Sequence, residues 1–234
     1  MVYNIAGLRI RINNRFSFTD KFCNEYLSDN QDGAVDLEIT VTEEELIKEK
    51  DADSNFSDGY VENLAIYRKI CEQMPQRNRF LMHTAVLEYK GNAYAFLGKS
   101  GTGKSTHTGL WLKNLDDAKI LNGDKPILEY CGGEFIVYGT PWMGKERFGY
   151  NGKAPLKALC FLEQAKVNEI TEIPVCEVAQ KLFNQLLMPK DFSGVAKTLE
   201  IVDCLVKTVP SYLLKCDISD EAFNTSFNKL VKYE

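Results

Sequence analysis

The chain has 234 residues, long enough for one large domain or a domain with a small appendage. Its 44% hydrophobic and 26% charged residues match ordinary globular domains and exclude disordered and fibrous classes. Acidic residues outnumber basic ones by 33 to 28, for a net charge of −5, which removes the broad positive field that nucleic-acid binders need. No apolar run approaches the ~18 residues of a membrane-spanning helix, so no membrane partner is expected. Met1-Val2-Tyr3-Asn4 leads straight into a strand-like segment without a basic and then apolar leader, so a cytoplasmic location is expected. The seven cysteines are odd in number and lack C-x-x-C spacing, and only two histidines accompany them, which argues for reduced core thiols over disulfides or structural zinc.

Ile5 to Ile12 ends in strict alternation of apolar and basic residues, the period-two pattern of a strand, and Val35 to Val41 repeats the period. Asp51 to Gly59 has the turn-rich composition of an exposed, mobile loop. Leu64, Tyr67, Cys71 and Met74 recur at helical spacing before Pro75, which predicts an amphipathic helix over 61–74. Residues 1–75 thus read as a small β-rich N-terminal segment, and 76–234 as the main domain. There, 83–89 and 93–97 predict a hairpin, 105–114 a helix and 118–122 a strand. Segments 127–130 and 134–138 predict a second hairpin, turning at Cys131-Gly132-Gly133, and 158–162 a further strand. Helical patterns follow around 176–188 and 195–206, then a short strand at 212–214 and a terminal helix from Glu221. The fold class expected is mixed, β-rich α/β.

Gly98-Lys99-Ser100-Gly101-Thr102-Gly103-Lys104-Ser105 satisfies G-x-x-x-x-G-K-[ST], the Walker A loop whose backbone N–H groups surround a nucleotide's β-phosphate. Gly98, Gly101 and Gly103 permit the tight turn, Lys104 offers a point charge to the β and γ oxygens, and the Ser105 hydroxyl suits Mg²⁺. An apolar strand precedes the motif and a helix follows it, which adds the partial positive charge of a helix N-terminus. Ser100, Thr102 and Thr106 belong to the same binding loop; threonines there serve either as ligands or as helix caps.

A magnesium site needs a carboxylate nearby. Asp124 follows the next strand, and a right-handed β-α-β crossover would bring neighbouring strand ends together. It reads as a metal or water-positioning carboxylate, or else as a turn aspartate before Lys125-Pro126. His83 and His107 each either reach the same pocket or are structural. In Gly139 to Lys145, Trp142 either covers the core edge or contacts a ligand, and Lys145 is a second phosphate contact or a solvated lysine.

Met82-His83, a hairpin and then G-K-S-G-T-G-K-S-T over residues 98–106 resemble two related groups: HPr kinase/phosphorylase and the nucleotide domain of ATP-dependent phosphoenolpyruvate carboxykinase. The match covers roughly residues 80–165 and is most similar to small bacterial HPr-kinase-like chains. The resemblance implies a carboxykinase-like P-loop fold, ATP and Mg²⁺ as cofactors, and roles for His83, Lys104, Ser105 and Asp124 around the γ-phosphate. It also aligns Lys145 with a glycine-rich turn ending in lysine, and brings homo-oligomer formation as an expectation.

One departure stands out. Where both groups have Asp-Asp, this chain has Gly123-Asp124, and in the HPr kinases the first aspartate is the general base. The reading that leads is a Mg·ATP-dependent phosphotransferase acting on a hydroxyl of a protein, peptide or small molecule. The alternative is a non-catalytic nucleotide sensor; a carboxykinase proper is disfavoured because its oxaloacetate-binding residues are not placed in this sequence. On the missing-base argument, Gly123→Asp is expected to raise phosphotransfer or ATP hydrolysis.

Overall fold

The computed structural model describes residues 1–50 and 55–231. The chain is a mixed α/β protein. Strands β1 (Val2–Ile5) and β2 (Leu8–Asn13) form an antiparallel hairpin, and β3 (Leu37–Thr40) adds to β2 in parallel. The single strand expected over 5–12 is therefore two. Ala6 and Gly7 both take positive φ (52° and 74°), which is the backbone of a tight two-residue hairpin turn.

Helix α1 (Phe18–Phe22) and α2 (Glu43–Glu49) flank this sheet. Thr42 caps α2 in a reciprocal box, its side chain accepting from Glu45 N while Glu45 accepts from Thr42 N. Helix α3 (Asp58–Gln73) starts at Ser57, whose Oγ accepts from Tyr60 N. The loop expected over 51–59 therefore ends earlier, since Asp58 and Gly59 are helical; residues 51–54 lie outside the described residues. Val61, Ala65, Ile66 and Ile70 of α3 pack on Tyr3, Ile10 and Ile12, and the same cluster takes in Leu81, Ile127, Trp142 and Met143.

Strands β4 (Arg79–Leu81), β5 (Ala85–Tyr89) and β6 (Asn92–Leu97) are followed by α4 (Lys104–Asn114) and β7 (Lys119–Asn122). Next come β8 (Ile127–Cys131), β9 (Glu134–Tyr138), β10 (Lys153–Gln164), β11 (Glu169–Glu172), α5 (Val175–Phe183), α6 (Phe192–Thr208), β12 (Ser211–Cys216) and α7 (Asp220–Leu230). Among the described residues these strands form one sheet in the order β4-β8-β9-β10-β6-β5-β7, with β12 on β10 and β11 on β12. Strand β10 joins the two halves: Lys153–Pro155 pair antiparallel with β9, whereas 156–161 pair in parallel with β6 and 159–164 with β12.

Strand β6 shows how the layers are built. Ala93, Ala95 and Leu97 face a cluster with Leu182, Ile201 and Leu205 of α5 and α6. Tyr94 and Phe96 face Trp111 of α4 and Phe223 of α7 on the other side. Helices thus cover both faces, and the strand is apolar from Ala93 onward because neither face meets water there. Cys23, Cys71, Cys160 and Cys216 are buried free thiols, whereas Cys131 and Cys176 are exposed.

Trp111 is fully buried, with ring centroids 5.6–5.7 Å from Tyr94, tilted against it, and from Phe96, Phe223 and Phe227, which meet it edge to face. Trp111→Ala is expected to cost about 3–5 kcal/mol in urea denaturation. A loss under about 1 kcal/mol would show that α4 and α7 close over the void.

Candidate active site

Strand β5 is antiparallel to both β6 and β7, so the latter two run the same way with β5 between them. The crossover through α4 therefore skips one strand instead of joining neighbours. Three chain segments still meet at one edge: the glycine-rich loop leaving β6, His83-Thr84 entering β5, and the turn leaving β7. Thr84 stitches them, its N–H donating to Asp124 O at 3.0 Å and its hydroxyl to Phe96 O at 2.8 Å.

Beneath this edge opens a cleft of about 680 Å³, lined by Ser100, Gly101, Gly103, Lys104, Ser105 and Thr106 of the loop together with His83, Asp124 and Lys145. Gly103 caps α4 with φ 104°, a conformation open to glycine and strained for other residues. Lys104 folds back so that its Nζ donates to Gly98 O at 2.8 Å. Burial lowers its pKa, and the Asp124 charge partly opposes that. Two of the expected loop residues do not line the cleft: Gly98 and Thr102 face the far side, where the Thr102 hydroxyl donates to Lys99 O at 2.6 Å.

Asp124 is the focus of charge. Its Oδ1 lies 2.9 Å from His83 Nε2, and its Oδ2 pairs with Lys125 Nζ. Burial pushes the carboxyl pKa up, but the hydrogen bonds and charges of His83 and Lys125 outweigh it and bring the value down to about 2. At neutral pH this carboxylate is an anion and a poor proton acceptor. His83 keeps 43% of its side chain exposed, and its N–H donates to Gln185 O at 2.7 Å, which fixes the backbone beneath the ring.

Lys125 and Asn122 complete the corner and belong to no recognisable motif. The Asn122 Nδ2 donates to Thr140 O and Thr140 Oγ1, both at 3.1 Å, while its Oδ1 accepts from Asp124 N at 2.9 Å and Lys125 N at 2.7 Å. An asparagine two residues before an aspartate in a turn is the signal that could have found it. The opposite wall comes from the N-terminal part of the chain: Phe22, Tyr60, Leu64 and Tyr67. Trp142 is buried in the core at the margin of the cleft, and its Nε1 donates to Asn63 Oδ1 at 3.0 Å.

His107 lies away from the cleft. It is buried against Phe96, its Nε2 is 3.0 Å from Ser226 Oγ, and burial lowers its pKa to about 4. It is a structural residue.

Chemically, the cleft offers a helix N-terminus and a lysine to an anion. The Ser105 hydroxyl and the Asp124 carboxylate suit a hard cation that brings phosphate and water oxygens with it. Among the described residues no cluster of three or more His, Cys, Asp or Glu would hold a metal by protein ligands alone.

No family model matches the chain, and no curated protein matches it. Among solved structures it is similar to the HPr(Ser) kinase/phosphatase from Coxiella burnetii, with a TM-score of 0.38 and 10% identity over 65% of this chain and 97% of that one. A likeness at that level carries no weight for chemistry, which rests on the cleft itself. No helix among the described residues is long and apolar enough to cross a membrane.

The structure corrects the expectation for Gly123→Asp. A Cβ at position 123 would stand 2.9 Å from the Met143 carbonyl oxygen and 3.1 Å from that of Phe148, which itself accepts from Gly123 N at 2.9 Å. Backbone occupies the space a side chain needs. Gly123→Ala and Gly123→Asp are expected to lose about 1–3 kcal/mol in urea denaturation without gaining activity. An unchanged midpoint would show that the 143–148 segment yields freely.

Acid sensitivity follows from two depressed pKa values. The Asp124 contribution is complete above its ordinary value of 3.8 and is lost as pH falls through about 2. The neutral His107 contribution is complete above 6.5 and is lost as pH falls through about 4. Stability measured against pH should fall in both windows; Asp124→Asn should flatten the lower one only.

Proposed function

We propose that the chain is a phosphotransferase that binds Mg·ATP on the P-loop at residues 98–105 and transfers the terminal phosphoryl group to a hydroxyl. The observation that carries this reading is the meeting, in one cleft, of the α4 N-terminus, Lys104 and the His83–Asp124 pair. Gly101, Gly103 and Thr106 line the nucleotide's phosphates, and Lys104 neutralises charge on the β and γ oxygens. Lys145, at the rim of the same cleft, adds a second cation. Ser105 and Asp124 would hold Mg²⁺, which supplies charge neutralisation across the phosphate oxygens when bound.

Asp124 is too weak a base to take a proton. His83 suits that task, because the 2.9 Å contact of its Nε2 with Asp124 directs Nε2–H to the carboxylate and leaves Nδ1 as the acceptor. In the transfer, the acceptor hydroxyl oxygen bonds to phosphorus, the bond to the bridging oxygen of the nucleotide breaks, and the hydroxyl proton passes to His83 Nδ1. The acceptor enters against the wall of Phe22, Tyr60 and Leu64. A protein, a peptide and a small molecule all remain within this class. The two regions, 1–75 and 76–234, thus act together: the second holds the nucleotide and the first faces the acceptor.

A second reading, a nucleotide sensor without turnover, draws on Gly123, which leaves one carboxylate where two would otherwise serve. Calorimetric titration of ATP with and without Mg²⁺, followed by ADP analysis of the same samples, separates the two. Lys104→Ala should weaken ATP binding at least tenfold, and Asp124→Asn should remove mainly the Mg²⁺ dependence. His83→Gln should leave binding intact and cut ADP formation about 10²- to 10⁴-fold. Unchanged Mg·ATP affinity in both Lys104→Ala and Asp124→Asn would overturn the site. Tight binding with no ADP even from the unaltered protein and a hydroxyl acceptor panel would favour the sensor.

A further inference from the structure

Both oxygens of the Asp124 carboxylate have a partner supplied by the chain itself: Oδ1 meets His83 Nε2, and Oδ2 meets Lys125 Nζ. A metal on this carboxylate therefore competes with a resident ammonium. Consecutive side chains of a strand point to opposite faces, yet Asp124 and Lys125 both line the cleft, because the chain bends at Gly123 and Asp124 after β7. The Lys125 backbone is pinned. Its N–H donates to Asn122 Oδ1 at 2.7 Å, its carbonyl accepts from the Thr140 hydroxyl at 2.7 Å, and Pro126 follows. Only the side chain is left to move. It is 34% exposed, against 19% for Asp124, and lysine carries its charge on a flexible four-carbon stem. Of the three lysines lining the cleft, Lys125 is the one ion-paired with Asp124 among the described residues.

We propose that Lys125 is a tethered counter-cation that stands in for the metal on Asp124 and yields Oδ2 when Mg²⁺ comes with a nucleotide. The proposal rests on the Mg·ATP reading above and adds a positioning residue that the reading does not use. Two electrostatic terms act in opposite directions. A bare carboxylate in the cleft repels the phosphates of metal-free ATP, and the Lys125 ammonium cancels that charge. An ammonium and a dication repel each other on one oxygen, so Lys125 turns away when the metal takes its place. A point charge on a flexible stem can make this exchange, whereas the planar fork of an arginine would grip both carboxylate oxygens. Lys125 thus acts through Asp124, while Lys104 and the α4 N-terminus meet the phosphates directly.

The test is calorimetric titration of ATP into the protein, once in EDTA and once in excess Mg²⁺. Lys125→Met keeps the backbone bonds and most of the stem and removes the charge, so it should fold. It should weaken metal-free ATP at least about tenfold, while Mg·ATP stays within about threefold or tightens. Lys125→Gln should follow the same pattern. Asp124→Asn placed in the Lys125→Met background removes the bare carboxylate and should bring metal-free ATP back to within about threefold of the unaltered protein. Equal losses of metal-free ATP and Mg·ATP, or a loss that persists in the double variant, would make Lys125 a direct phosphate contact; the exchange is then overturned and the Mg·ATP site stands. Metal-free affinity unchanged in both single variants overturns the exchange as well. So does an unaltered protein that binds Mg·ATP but shows no measurable binding of metal-free ATP. Failure of ATP to bind the unaltered protein in either buffer overturns the site and the exchange together.

Discussion

The buried amide of Asn122 makes four hydrogen bonds, two to Thr140 and two to the backbone of Asp124 and Lys125. Through them it anchors the turn after β7 to the segment leaving β9, and so fixes the direction in which Asp124 points. His83 then takes its orientation from Asp124, and His83 and Lys125 lower the pKa of Asp124 against the effect of burial. An amide can do this where a charged side chain could not, because it supplies donors and acceptors without the cost of burying an ion. The cleft's acidic corner is therefore a rigid part of the sheet edge, with the glycine-rich loop as its neighbour.

How much of this could be read in the residues varies with the kind of signal. Strands β5, β6, β8 and β9 follow from apolar runs broken by Lys90-Gly91 and Gly132-Gly133, and helix α4 from the motif that opens it. Strand β10 is longer than expected because Lys153, Pro155 and Lys157 interrupt the apolar run; Pro155 is tolerated where pairing passes from β9 to β6. Strand β11 is mostly exposed and carries no apolar alternation, so only its pairing with β12 reveals it. Helix α2 had a legible start in Thr42 and Glu45, a capping box that the polar composition of its surroundings hid.

For the site, the loop and Asp124 announce themselves by spacing, whereas Asn122, Lys125 and the wall of Phe22, Tyr60 and Leu64 do not. These act through tertiary placement. Helix α3 is amphipathic in sequence, yet nothing in its pattern tells that one margin of it would face a cleft some forty residues further along the chain. His107 shows the converse: a histidine beside the motif in sequence turns into the core, because its position on α4 faces Phe96 and Ser226.

The close approach at Gly123 ties that position to the segment packed against it. The carbonyls of Met143 and Phe148 stand in the volume that any side chain at position 123 would need. A glycine there and the inward seat of residues 143–148 depend on each other. Introducing any side chain at 123 is penalised until the segment first retreats, and a retreat alone gives up the hydrogen bond from Gly123 N to Phe148 O. The two positions are therefore coupled: what residue 123 can be is set by where residues 143–148 sit.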